Sequence, residues 1–219
     1  MKIERRFIPA DEVELRMDGE DPVIEGHAAV FNKWADIGGM FRERIAPGAF
    51  TESIENDDIR ALVNHDPNML YGRNKNGTHE LVEDKKGLLT RTRPNMDTTV
   101  GRDAVAWVKR GDMTGQSFGF SVLEDSWQTK DIEGRGPVDH RTIKKVRTYD
   151  TGIVTYPAYE QTDIVVRSAQ EVYEEHRKQE APDGSEGNGE EEAAGRTQTP
   201  HMTSKGNALA LREREARMG

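Results

Sequence analysis

Gly115-Gln116-Ser117-Phe118-Gly119-Phe120-Ser121-Val122-Leu123 alternates without a break. In an extended chain Phe118, Phe120 and Val122 fall on one side, and Ser117, Gly119 and Ser121 on the other. A period of two with one apolar and one small-residue face predicts a sheet strand with one side in a core. Upstream, Asp97 to Arg110 carries a different period. Val100, Ala104, Trp107 and Val108 form a helical stripe, Asp97 or Thr98 can cap its start, and Gly111 can take its end. Leu81 to Arg93 reads as a hairpin turning on Asp84-Lys85-Lys86-Gly87 and closed by Pro94. Ile59 to Asp66 reads as a strand whose odd positions share a face, with His65 near its last ladder position, Asp66 pointing away and Pro67 ending it. Asp21 to Asn32 is a further strand with a glycine bend at Gly26. Pro47 to Asn56 is a short helix with Pro47 in its first turn and Phe50 and Ile54 one turn apart. Lys130 to Arg141 is polar and reads as loop.

The 219 residues suffice for one domain with a core plus a tail, but not for two full domains. A charged fraction of 32 % against 6 % aromatics means that part of the chain contributes little to a core, and that part is expected at the C-terminus. A net charge of −9 speaks against nucleic acid or an anionic membrane as the main partner, because phosphate contacts need clustered Lys and Arg. With no cysteine there is no disulfide framework, thiol nucleophile or Cys-based metal site, which fits a cytoplasmic location. The start of the chain leads into acidic sequence rather than an apolar targeting segment. No run of about 18 apolar residues occurs, so a soluble chain is expected. No phosphate-cradling loop or metal-type spacing is found, and no cofactor is expected.

Two stretches carry chemistry: Val63-Asn64-His65-Asp66-Pro67 and the Ser117 strand. A serine hydroxyl becomes a useful nucleophile when a histidine takes its proton and a third group fixes the imidazole tautomer. The small residues around Ser117 leave room for a substrate backbone beside the hydroxyl. Taken singly, neither residue is distinctive. A serine between glycines is more often a turn residue, and a strand-end histidine commonly bonds only to backbone, with five other histidines in the chain. Gly115-Gln116-Ser117-Phe118-Gly119 meets the bare G-x-S-x-G spacing of a hydrolase elbow, but that elbow needs strand, turn and then helix, with the histidine after the serine. Here a strand follows Ser117 and the best histidine precedes it, which disfavours a small-molecule esterase.

The wider pattern is more specific: Phe41-Arg42-Glu43-Arg44-Ile45-Ala46-Pro47-Gly48-Ala49-Phe50, the His65 stretch, Arg102-Asp103, Arg110-Gly111-Asp112, the Ser117 stretch, and Val154-Thr155-Tyr156-Pro157-Ala158. In order and content these blocks, from about Ile24 to Val166, resemble the prohead proteases of tailed bacteriophages. The resemblance implies a capsid-maturation serine endopeptidase related in fold to the herpesvirus assembly proteases. The expected class is α+β: a mainly antiparallel, β-barrel-like protease domain over residues 1–168 with a few flanking helices, followed by a disordered acidic tail over 169–219. It implies His65 and Ser117 as catalytic residues. It also implies Asp150 as the third member, since Asp150 fills the acidic position ahead of the apolar run ending in Tyr156-Pro157-Ala158. The herpesvirus relatives use a second histidine there, which makes His140 the rival. Arg102 and Arg167 are candidates for electrostatic help.

The implied partners are the major capsid protein with its scaffolding segment, the portal as a further candidate, and other copies of the chain. The implied location is the assembling procapsid in the host cytoplasm. Self-cleavage is expected after Ser168, where Glu171 to Glu180 reads as a charged helix, Ala181 to Gly195 as an acidic linker, and Ala208 to Met218 as a segment that orders on a partner. The alternative is a noncatalytic scaffold or assembly protein on a protease-like fold, which the presence of both Ser117 and His65 disfavours.

Overall fold

In the computed structural model, which describes residues 3–6, 13–156 and 163–180, the Ser117 stretch opens the long strand β10, Gly115–Ile132. Its partner β11, Gly136–Val154, runs back beside it almost end to end. Around this pair lie β1 (Glu4–Arg6), β4 (Ala35–Ile37), β5 (Phe41–Ile45), β6 (Arg60–Leu62) and β7 (Leu70–Arg73). Together they make a seven-stranded sheet ordered β1-β10-β11-β5-β4, with β6 also on β11 and β7 on β6. The strands β5 and β6 run parallel to β11, and the remaining pairs are antiparallel. A second sheet is ordered β2-β3-β9-β8, from Glu14–Asp18, Asp21–Val30, Gly87–Thr92 and His79–Glu83. The helices are α1 (Thr51–Asn56), α2 (Thr99–Arg110) and α3 (Asp163–Glu180).

The fold is therefore mixed α and β, mostly strand, and the expected barrel is corrected. Among the described residues neither sheet closes on itself, because the larger path ends at β1 on one side and at β4 on the other. Two open sheets face each other across a core that includes Phe118, Phe120, Ala28, Ala29, Leu88, Phe50, Ile143 and Val146. Phe118 and Phe120 are fully buried and stack at 4.7 Å, and the Phe50 ring meets Phe118 edge-on at 5.5 Å. Burying the phenylalanines fixes which face of β10 carries Ser117.

Most local readings hold. Thr98 caps α2, its hydroxyl accepting from the Gly101 amide at 3.1 Å, and Gly111 ends the helix with φ +80°. Asp84 closes the β8–β9 turn by accepting from the Lys86 and Gly87 amides at 2.7 and 2.8 Å.

Other readings are corrected. The bend in β3 is a register shift between His27 and Ala29 rather than at Gly26. Pro47 lies outside α1, which starts only after Gly48 turns the chain with φ +87°. Residues 130–141 are not a loop, since β10 and β11 stay paired out to Ile132 and Gly136. That ribbon is polar on both sides, so backbone pairing holds it without the one-sided apolar pattern that would announce a strand.

The expected domain boundary at Ser168 falls inside α3, where Ala169 is buried beside Ile37 and Phe41 and the Tyr173 ring stacks on Phe41 at 5.6 Å. The linker and terminal-segment readings, Ala181 to Gly195 and Ala208 to Met218, lie outside the described residues. Among the described residues no helix is long and apolar enough to cross a membrane.

Candidate active site

Three strands set the site. Ser117 pairs with Gly152 on β11, and on the other edge of β10 the strand β1 begins its ladder at Arg6 opposite Phe118. Asp150 lies on β11 opposite Gly119, and Arg60 at the start of β6 pairs with Asp150 from the far side. The glycines permit this crowding. A Cβ at Gly152 would lie 1.9 Å from the Leu62 carbonyl oxygen, and one at Gly119 would lie 2.7 Å from Asp150 Oδ2. The open face beside Ser117, expected to admit substrate backbone, is thus filled at Gly119 by the Asp150 carboxylate.

His65 does not sit on the ladder. The strand β6 stops at Leu62, and Val63–His65 form a tight turn in which Asn64 and His65 both have left-handed backbone, φ 54° and 57°. Such residues cost on the order of 1–3 kcal/mol each and persist where their surroundings over-determine them. Asn64 supplies the clamp: its Oδ1 accepts from the Thr155 amide at 2.9 Å and its Nδ2 donates to the Thr155 hydroxyl at 2.8 Å. The turn aims the imidazole across β11 toward β10. Its Nε2 lies 2.8 Å from Ser117 Oγ, and its Nδ1 is hydrogen-bonded to Asp150 Oδ1. All three groups are nearly buried, Ser117 at 6 % exposure and the His65 and Asp150 side chains at 10 % and 12 %.

This arrangement can move one proton along a fixed line. With Nδ1–H donated to Asp150, neutral His65 presents a lone pair on Nε2 to the Ser117 hydroxyl. A second acceptor competes, because Ser117 Oγ also stands 3.0 Å from the Arg6 carbonyl oxygen and can donate there instead.

Arg6 is held in place by a buried ionic cluster that sequence reading did not identify. Its guanidinium donates to Glu4 Oε2 at 2.6 Å and to Glu43 Oε1 at 2.7 Å, while Arg141 donates to Glu43 Oε2 at 3.0 Å, to Glu4 Oε2 at 3.1 Å and to Asp125 Oδ2 at 2.7 Å. Burial alone would lift the Glu43 carboxyl, but Arg6 and Arg141 hold it below the ordinary glutamate value. Glu43 belongs to one of the blocks quoted above, yet nothing local marks it as buried.

Behind Asp150, His79 is buried and bonded to the hydroxyls of Thr92 at 2.8 Å and Thr151 at 2.9 Å. Burial pushes it down to about 4, so it is neutral near pH 7. Burial likewise raises the Tyr71 hydroxyl, which accepts from the Ile153 amide at 3.1 Å.

The rival His140 stays elsewhere, its Nδ1 on the Val138 carbonyl at 2.9 Å and its ring edge-on to Trp34. Arg102 donates to the Met96 carbonyl at 2.9 Å and is not brought to the three residues. The Arg167 side chain, Pro157 and Ala158 lie outside the described residues. Among the described residues no group of three or more His, Asp or Glu side chains could hold a metal ion.

Comparison with known proteins gives the family of the chain. The "Prohead protease" of Enterobacteria phage HK97 is 30 % identical over 159 residues, which cover 70 % of this chain and 64 % of that protein. The chain thus spans less than two thirds of that relative's length. No solved structure matches significantly. The family profile described as caudovirus prohead serine protease matches residues 10–178, a range that takes in Ser117, His65 and Asp150, and this chain belongs to that family.

Proposed function

We propose that this chain is a serine endopeptidase of phage capsid maturation. The observation that carries the reading is Ser117 Oγ at 2.8 Å from His65 Nε2 with the other ring nitrogen on Asp150. Ser117 attacks a peptide carbonyl while His65 takes its proton. His65 then gives that proton to the leaving amine, and water activated by the same imidazole releases the acyl enzyme. Asp150 holds the reactive tautomer and stabilises the imidazolium. The substrate in this reading is the scaffolding segment of the major capsid protein, cut inside the procapsid in the host cytoplasm, with self-association of the protease as part of assembly. Kinship in fold with the herpesvirus assembly proteases belongs to the same reading, and an experimental structure would test it.

The protease also cuts itself in its C-terminal tail in this reading. Because Asp163–Glu180 is helical and a protease groove takes extended backbone, the cut is placed beyond Glu180. The test is the intact mass of wild type and Ser117→Ala after identical expression and incubation. Loss of C-terminal mass in wild type alone supports Ser117 as nucleophile and locates the cut. Identical trimming of both would assign it to host proteases and remove that support. If both stay whole, coexpression with the capsid protein decides, and an uncut capsid protein there leaves the noncatalytic assembly role as the better reading.

A further inference from the structure

One side of Ser117 is walled. The Arg6 carbonyl stands 3.0 Å from Oγ, and from Phe118 onward β1 covers that edge of β10. Toward Gly115 the surface instead opens into a cleft of about 560 Å³. Val63 and Met69 line it from either side of the His65 turn, Trp107 from the last turns of α2, and Met113 from the connection into β10. Val63 and Met113 are buried, and Met69 and Trp107 half-buried. Asn64 and Thr155, bonded to each other, stand at the rim. Asn64 immediately precedes His65, and Thr155 follows Val154, the residue opposite Gly115 in the ladder. The mouth of the cleft is therefore bounded by the turn that carries His65 and by the end of β11, the strand that carries Asp150 and pairs with the start of the Ser117 strand. Of the charged lining residues, Arg110 and Asp112 are ion-paired with each other and Asp66 accepts from the Asn68 amide and side chain, so the apolar wall offered to a peptide is the set Val63, Met69, Trp107 and Met113.

We propose that this cleft is a substrate subsite that takes one large apolar side chain, Leu, Met or Phe, next to the scissile bond. An extended peptide advances about 3.3 Å per residue, so a side chain one or two positions from a carbonyl at Ser117 reaches the mouth. Thioether and indole walls suit such a group, and two methionines let the wall adapt to its shape. The inference rests on the reading of Ser117 as the nucleophile.

The test compares phenylmethanesulfonyl fluoride with methanesulfonyl fluoride, each rate normalised to the reagent's own hydrolysis and followed by intact mass. In both reactions the Ser117 Oγ–S bond forms as the S–F bond breaks, the proton passes to His65 and fluoride leaves. The full-length wild type should react about tenfold or more faster with the benzyl reagent. The preference should fall toward one in Trp107→Ala and in Met69→Asp, each verified as folded by its melting curve. Equal rates in wild type, or a preference that survives in both variants, would overturn the subsite and leave the nucleophile reading standing. If neither reagent modifies Ser117, or Ser117→Ala is modified as fast, the nucleophile reading fails and takes the subsite with it.

Discussion

A methyl group added at Gly119 would lie 2.7 Å from Asp150 Oδ2 and 3.3 Å from its Cγ, so the carboxylate must move. Displacement on the order of 1 Å at a site of this kind costs about 10²-fold in rate. Gly119→Ala is thus expected to slow sulfonyl fluoride modification of Ser117 by about that factor while the fold is retained; an unchanged rate would show that Asp150 does not orient His65. His79 gives a pH prediction. An unfolded histidine takes up a proton near pH 6.5, whereas native His79 does so only near 4. Between those values the unfolded state holds more protons, so His79's contribution to stability is full above about pH 6.5 and is lost as pH falls toward 4, by on the order of a few kcal/mol. Urea unfolding of wild type and His79→Gln at pH 7 and pH 4.5 checks this, and the variant should show the shallower pH dependence. Both residues show why single positions were only partly legible. Gly119 and His79 have ordinary neighbours in the chain, and their roles come from Asp150 and Thr92, reached through strand pairing, and from Thr151, reached across the two sheets.

At the scale of elements, β1 has only three residues, and its ladder alone would hold it weakly. Arg6 and Glu4 lock it into the sheet through Glu43 on β5 and Arg141 on β11. Removing one member leaves buried charge without its partner, and Glu43→Ala is expected to cost about 3–5 kcal/mol in denaturant unfolding. Because β1 carries the Arg6 carbonyl, the same variant should also change the rate of Ser117 modification. A loss under about 1 kcal/mol would mean that water reaches the cluster. The elements read correctly were those with one-sided patterns and local punctuation, namely α2 between Thr98 and Gly111 and the β8–β9 hairpin at Asp84. The outer β10–β11 ribbon was missed because its buried positions, Val138, His140 and Arg141, are mostly polar and show no one-sided apolar pattern. The strand expected to run to Asp66 ends at Leu62, because strand periodicity continues through Val63 in sequence while the backbone turns left-handed at Asn64.

For the whole molecule, the proposed self-cleavage and the fold meet at α3. Tyr173 donates to Asp139 Oδ2 at 2.9 Å and stacks on Phe41, and Trp127 stacks on His176 at 4.0 Å, so the helix is fastened to the sheet that carries Ser117. The mass of the self-cleaved protein should therefore place the new C-terminus beyond Glu180, with α3 retained; a cut within 163–180 would require the helix to unwind first. The sequence by itself determined the strand that carries Ser117 and the flanking helix and hairpin, because each is written in periodicity or turn residues within a few positions. Ser117 and His65 are locally ordinary, and it was the family resemblance that singled them out together with Asp150. Only the tertiary structure decided that the sheets stay open, that His65 reaches Ser117 from a left-handed turn, and that Arg6 and Glu43 bury their charges together across 37 positions of chain. The physical reason is that these depend on long-range pairing and desolvation, which local sequence patterns do not encode.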